Sequence, residues 1–415
     1  MTMSELKINQ RLIMTPGPTM VDPRVSQAMS NQILGQFDPD FTDIMNENMA
    51  LIRKSFRTKN QWAFPIDGTS RAGNEAVIGS IVSPGDSVLV PVFGRFGDLF
   101  VELAERAGGK VTTMTTEWGT VFDQDRIIDE IDRLKPKVVA IVHGETSTGR
   151  LQPIDRLGEA VHRYGGFLVV DAVASYMGTP VEVDKWQLDA VVGGAQKCLS
   201  IPSGITPITF NDRFAEEINQ RKRVEQGVRT ATDREGRNFI TSNYLDLTQL
   251  QDYWSPRRLN HHTEATVADY ALHEGLRLAL QEGLNSRFSR HLKIHRALND
   301  GLTAMGLSIY HAGDHEMPMV TCVQIPEDLD GDAFRAKLLR NFGVEISSSF
   351  GSLQGKIWRI GTMGYSAQKG FITNFVALFG AALLQSGISV DLKAGLDAVE
   401  AAFTTPKQTL KTLEV

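Results

Sequence analysis

The sequence predicts an α/β chain with a mostly parallel central sheet, helices on both of its faces, and a smaller C-terminal α+β unit. Three observations predict it. Short β-rich runs, apolar on both faces, alternate with polar–apolar helical stretches through the first two thirds. The runs are short and uninterrupted, as strands buried on both sides require. After Gly283 the alternation stops, and helices flank only two further apolar runs.

The elements follow in order. SVLVPV (87–92), KVVAIVH (137–143), FLVVDAV (167–173) and LDAVVGG (188–194) read as central strands. Segments 123–134 and 154–164 read as the helices that cover them. TEATVADYALHEGLRLALQEG predicts a longer helix beginning near Thr263. Beyond Gly283, a helix over 286–306 precedes the runs MVTCVQI and KIWRIG. An apolar helix over 371–384 follows, with Phe371, Phe375, Leu378, Phe379 and Ala382 on one face. The expected division is a segment 1–30 that packs with the small unit or crosses a subunit interface, a large unit 31–284, and a small unit 285–415.

Composition excludes several classes. The 415 residues are 42% hydrophobic, enough for two or three domains with ample core. A net charge of -6, mixed along the chain, argues against nucleic-acid binding, which needs a basic stripe. Two cysteines, Cys198 and Cys322, build no disulfide framework and fit a reducing cytoplasm. The first residues, MTMSELKINQRLIM, hold no apolar signal core. Segment 371–384 contains Thr373 and Asn374 and is short for a bilayer span. The expectation is a cytoplasmic protein with neither membrane nor nucleic-acid partner.

Polar groups gather where strands end, the place where ligands bind such sheets. His143, Asp171 and Lys197 all follow apolar runs. A buried lysine can form a Schiff base with the aldehyde of pyridoxal phosphate. A carboxylate can hold that cofactor's ring nitrogen protonated, so the ring absorbs electrons. Either residue alone reads as a strand-end Asp or a surface Lys; together at strand ends they point to the cofactor. In DGTSRAGNEAV, a Gly-Thr-Ser turn opens a helix, and its free N–H groups with Thr69 and Ser70 suit a phosphate, although Ser and Thr are also ordinary caps. Phe96 in VFGRFGD can stack on a flat ring. HGETSTG offers hydroxyls at another strand end. Arg359 stands inside the apolar run KIWRIG, where it needs an anion; a substrate carboxylate and a structural salt bridge both satisfy that need. In RRLNHHTEAT, Thr263 suits an N-cap or a phosphate. The adjacent His261 and His262 lack ligand spacing, so no metal site is expected.

These motifs, with MTPGP near the start, GGAQKCLS, LNHHT and WRIGTMG, occur in an order that resembles the fold-type I, class V aminotransferases over nearly the whole chain. The resemblance implies pyridoxal phosphate, with Lys197 as the Schiff-base lysine and proton carrier and Asp171 as the ring-nitrogen partner. It implies cofactor contacts from Thr69, Ser70, Arg71, Phe96, Thr146 and Gln196, and from Thr263 across a homodimer interface, with a tetramer also open. Gly17 and Arg359 would meet the substrate, with Arg359 holding its carboxylate. Within the family, GQFDPDFTDIMNE, SNYLDLTQLQDYW and KIWRIGTMGYS are similar to the branch that acts on (S)-ureidoglycine and glyoxylate in purine breakdown. There Gln36 and Asn260 would answer a ureido group, because an amide both donates and accepts. Alanine– or serine–glyoxylate transamination is the alternative. A cysteine desulfurase and an amine-sensing regulator fit less well, for want of a cysteine in a flexible loop and of a DNA-binding domain.

Overall fold

Strands without a polar face need apolar cover on both sides, and they take the middle of the sheet. The computed structural model describes residues 5–233 and 235–404. Its large sheet comprises Trp62–Asp67 (β1), Ser87–Val92 (β2), Lys110–Thr115 (β3), Val138–Val142 (β4), Phe167–Asp171 (β5), Ala190–Val192 (β6) and Ile205–Phe210 (β7). The order is β1-β7-β6-β5-β4-β2-β3. Every neighbouring pair is parallel except the two that β7 makes. The sheet is thus mostly parallel, as the sequence predicts. Strands β4 and β5 are buried at every position. Two strands escaped the sequence reading. ITPITF, now β7, interrupts its apolar pattern with two threonines and a proline, and KVTTMT, now β3, is an edge strand with no fully buried residue.

Helix Ser70–Ile81 (α1) follows β1, and Arg95–Arg106 (α2) follows β2. Both begin at the carboxyl edge of the sheet. The long helix Thr266–Glu282 (α3) starts later than Thr263, and Thr263 does not cap it. The Asp67 side chain explains the delay: its Oδ2 accepts the Ala265 N–H at 2.9 Å and ties the preceding segment to the end of β1.

Helix Leu284–Ala304 (α4) leads to a second sheet of Val320–Gln324 (β8), Ser347–Ser348 (β9) and Ile357–Gly361 (β10), antiparallel in the order β8-β10-β9. Alternation along β10 divides its side chains. Trp358 and Ile360 enter a second core with Ile294, Phe375 and Phe379. Ile357 joins the core of the large sheet. Arg359 shares the Ile357 side. Helix Lys369–Leu384 (α5) buries Ile372, Phe375, Val376, Phe379, Ala382 and Leu383. Phe371 and Leu378, expected on that face, are only partly buried. The segment is apolar around most of its circumference, so its neighbours α4 and Leu392–Thr404 choose the face.

The N-terminal segment links the two cores. Leu12–Ile13 pairs in parallel with Val344–Glu345, and Met14 lies in the second core. Thr19 then donates its N–H to the Gln196 carbonyl at 3.2 Å, beside Lys197. Residues 1–4 and 405–415 of the expected terminal units lie outside the described residues. Among the described residues no helix is long and apolar enough to cross a membrane.

Gly361 is where this strap meets β10. Its N–H donates to the Met14 carbonyl at 2.8 Å, and a Cβ there would stand 2.1 Å from the Thr15 carbonyl oxygen. Gly361→Ala is therefore expected to destabilise the fold by roughly 1–3 kcal/mol, read as a lower denaturant midpoint. An unchanged midpoint contradicts this packing.

Candidate active site

Where β4 and β5 end, the chain leaves the sheet and opens a crevice of about 210 Å³. Thr69, Ser70, Arg71, Phe96, Thr146, Asp171, Gln196 and Lys197 all line it, although they come from five separate segments of the sequence.

Asp171, the last residue of β5, is 5% exposed. Burial raises its pKa. The Val173 N–H donates to Oδ1 at 2.8 Å and the Asn74 amide to Oδ2 at 2.8 Å, and with the charge of Lys197 these oppose that rise. Lys197 follows the Gly193-Gly194 turn and donates its Nζ proton to the Pro16 carbonyl. Burial, and then the Arg359 charge, push its pKa down to about 8. More of the amine is therefore neutral near neutral pH than in a free lysine. Gly17 sits against this lysine: at φ +111° its added Cβ would stand 2.4 Å from Nζ. Only glycine leaves the amine room.

The anion end is the start of α1. Thr69 precedes the helix but spends no hydroxyl bond on capping it. Ser70 Oγ donates to Gln196 Oε1 at 3.2 Å, which joins the helix start to the lysine segment. Free first-turn N–H groups favour an anion there.

Arg359 reaches this region from β10. Its Nε donates to the Ser348 carbonyl at 2.7 Å and Nη1 to the Thr146 carbonyl at 3.0 Å. Its guanidinium lies 4.6 Å from the centre of the Phe350 ring. Burial pushes its pKa down to about 10, so it stays charged. These hydrogen bonds go to carbonyls and not to a carboxylate, so its charge is available to an anion.

Three predicted residues lie elsewhere in this chain. Gln36 and Thr263 line a second groove, of about 860 Å³. Gln36 Nε2 donates to Asn260 Oδ1 at 3.1 Å. His143 also misses the crevice: its Nδ1 lies 2.9 Å from Ser175 Oγ, and burial lowers its pKa to about 4. Sequence reasoning overlooked Asn74, Pro16 and Glu145. Glu145 is fully buried, accepts the Phe96 N–H at 2.9 Å and is bound by Ser147 Oγ at 2.6 Å. It therefore sets the Phe96 loop. Its only trace in the sequence is Gly94, whose Cβ would stand 2.3 Å from the Glu145 side chain. Cys198 and Cys322 are buried, with thiols pushed up to about 12 by desolvation, so neither is a ready nucleophile.

The crevice fits pyridoxal phosphate in four respects. It joins a buried carboxylate, a lysine of lowered pKa, an aromatic side chain and an open helix N-terminus. With cofactor-free protein, the rate at which Lys197 combines with pyridoxal phosphate is expected to rise with pH and level off above about 8. Because the Arg359 charge lowers the lysine pKa, Arg359→Leu moves that midpoint to higher pH. A midpoint that stays or falls contradicts the assigned coupling.

Comparison with known proteins agrees with the geometry. The aminotransferase class-V family matches residues 13–358. The (S)-ureidoglycine–glyoxylate transaminase of Bacillus subtilis (strain 168) is 55% identical over 405 residues, which cover 96% of this chain and 97% of that one. The crystal structure of ureidoglycine–glyoxylate aminotransferase from Bacillus subtilis has a TM-score of 0.92 at 52% identity, covering 97% of this chain and 100% of that one. Alanine–glyoxylate aminotransferase of Callithrix jacchus is more distant, 33% identical over 88% of this chain and 85% of its own. The match over most of its length makes this chain a member of the class-V aminotransferases, a pyridoxal-phosphate-dependent family.

Proposed function

We propose that this aminotransferase moves the amino group of (S)-ureidoglycine to glyoxylate, giving oxalurate and glycine, as part of purine breakdown in the cytoplasm. The observation that carries the donor choice is the amide pair of Gln36 and Asn260. Gln36 spends its N–H on Asn260 and leaves its buried Oε1 without a partner among the described residues. That oxygen accepts from the ureido N–H groups, and the Asn260 amide donates to the ureido carbonyl. A smaller donor such as alanine leaves these amides unanswered and is disfavoured.

Bound pyridoxal phosphate supplies an electron sink for negative charge at the α-carbon of the donor. Thr69, Ser70, Arg71 and Gln196 would hold its phosphate end, Phe96 would cover its ring, and Thr146 would meet its ring hydroxyl. Asp171 holds a proton at the ring nitrogen. Lys197, whose amine is neutral more often than that of a free lysine, would carry the proton taken from the donor's α-carbon. Arg359 binds the carboxylate common to ureidoglycine and glyoxylate, and Gly17 keeps space beside Lys197. Glyoxylate follows in the same site, a two-stage exchange.

The protein works as a homodimer in this reading. In one chain the Gln36–Asn260–Thr263 region lies outside the crevice, and exposed Ile33 (64%) and Phe37 (77%) flank it. A second copy covers that apolar surface and receives Asn260 and Thr263 at its own crevice.

Two outcomes test the proposal. Gln36→Ala and Asn260→Ala are expected to lower kcat/KM for ureidoglycine by about 10-fold or more while changing alanine turnover little. Equal losses with both donors remove the ureido assignment in favour of alanine– or serine–glyoxylate transfer. Mixing inactive Lys197→Ala chains with inactive Asn260→Ala/Thr263→Ala chains, followed by subunit exchange, is expected to restore activity through hybrid sites. No recovery after confirmed exchange means that the sites are not shared.

A further inference from the structure

We infer a binding site for one divalent cation of the zinc or manganese class, made by Asp67, His262 and Glu264, apart from the crevice of Lys197. One ligand atom from each lies within 4.8 Å of the others. His262 Nε2 is 3.2 Å from Asp67 Oδ2 and 3.6 Å from Glu264 Oε2. Donors around a tetrahedral zinc ion, with bonds of about 2.0–2.1 Å, stand at separations of this order.

Hydrogen-bond directions favour a cation over a simple His–carboxylate pair. His262 Nε2 makes no hydrogen bond despite its nearness to Asp67, so the carboxylate is not in line with an N–H. The neighbouring ring explains why. His261 Nε2 lies 3.1 Å from the Asn243 carbonyl, which can only accept, so this nitrogen carries the proton. In its neutral form His261 then accepts at Nδ1, and His262 Nδ1, 2.7 Å away, donates. That leaves His262 Nε2 without a hydrogen-bond partner, turned toward the side chains of Asp67 and Glu264. Asp67 Oδ2 also accepts the Ala265 N–H at 2.9 Å, but no hydrogen bond satisfies His262 Nε2 or Glu264 Oε2, and a cation would answer both. A ligand histidine whose other nitrogen is fixed by a hydrogen bond is the usual arrangement at metal centres.

Independent buried groups point the same way. Glu264 is 5% exposed and its Oε2 has no hydrogen-bond partner. Asp269 is fully buried with Oδ2 unpaired. The Tyr253 hydroxyl, on a side chain 4% exposed, faces Glu264, and its ring centre lies 5.2 Å from that of His262. Orphaned groups at this density inside a native protein call for a ligand. One imidazole with carboxylates suits zinc or manganese better than magnesium or copper(I). Sequence spacing concealed the site because Asp67 belongs to β1 and the other two ligands to the segment before α3. The cation would clamp the end of β1, just before Thr69 and Ser70, to the segment that carries Asn260 and Thr263.

The test uses full-length holoenzyme, stripped with a chelator and then dialysed against graded zinc or manganese, with bound metal counted by mass spectrometry. One saturable ion per chain is expected. Glu264→Gln and His262→Gln are each expected to weaken binding by at least about 10-fold. A thermal melt checks the same point: metal raises the Tm of the wild-type protein and not that of Glu264→Gln. Wild-type protein that takes up no stoichiometric metal, or binding that is equal in wild type and both variants, overturns the proposal. A wild-type Tm unmoved by metal overturns it as well, even where a variant fails to fold.

Discussion

The structure depends on holding a carboxyl and an amine out of water in one small crevice. Burial drives each toward its neutral form: the Asp171 pKa rises and that of Lys197 falls. The fold resists that drift at Asp171 with the Val173 N–H and the Asn74 amide. It lets the drift proceed at Lys197, where the charge of Arg359 reinforces it. The outcome is a carboxyl group whose upward shift is opposed by two hydrogen-bond donors, beside an amine whose pKa is lowered to about 8. A parallel sheet suits this purpose, because β4, β5 and β6 deliver their last residues to the same edge.

The crevice is assembled from parts that no single unit owns. The large sheet supplies Asp171, and the turn after β6 supplies Lys197. The second sheet sends Arg359 from β10 through carbonyl contacts at Ser348 and Thr146. The N-terminal strap crosses between them, pairs with Val344–Glu345, and ends with Gly17 against the lysine. The two cores therefore hold a register that matters for chemistry. A shift of the second sheet moves Arg359 relative to Lys197 and alters the lysine's electrostatic setting as well as the anion site.

Much of this was legible in the sequence. Strands β4 and β6 are uniformly apolar, and β5 is apolar up to its last residue, Asp171; such runs take buried positions. Residues that bear chemistry at their ends, Thr146, Asp171 and Lys197, lie together as strand-end logic requires. The parts that stayed hidden depend on partners distant in sequence. Glu145 reads as one more polar residue of a hydroxyl-rich loop until Gly94 and Phe96 are seen against it. His143 stands at a strand end like Asp171, yet Ser175 draws it into the core. Strand β7 carries threonines and a proline that mask its burial. Helix α5 is apolar on too many sides for periodicity to choose a face. Asp67 stands in the sequence only as the residue before the Gly-Thr-Ser turn, and the fold alone sets it against His262.

Chemistry and donor choice are separated in space. Asp171 and Lys197 line the crevice proposed for amino transfer, while Gln36, at a separate apolar groove, is bonded to Asn260. In the proposed homodimer, a second copy of the chain brings this amide pair to the crevice. The most direct measurement is the half-reaction: pyridoxal phosphate enzyme mixed separately with ureidoglycine, alanine and serine, with conversion of the cofactor to its amine form followed by absorbance. The account predicts that ureidoglycine converts the enzyme fastest and at the lowest concentration. Conversion by alanine or serine as fast as by ureidoglycine would contradict it.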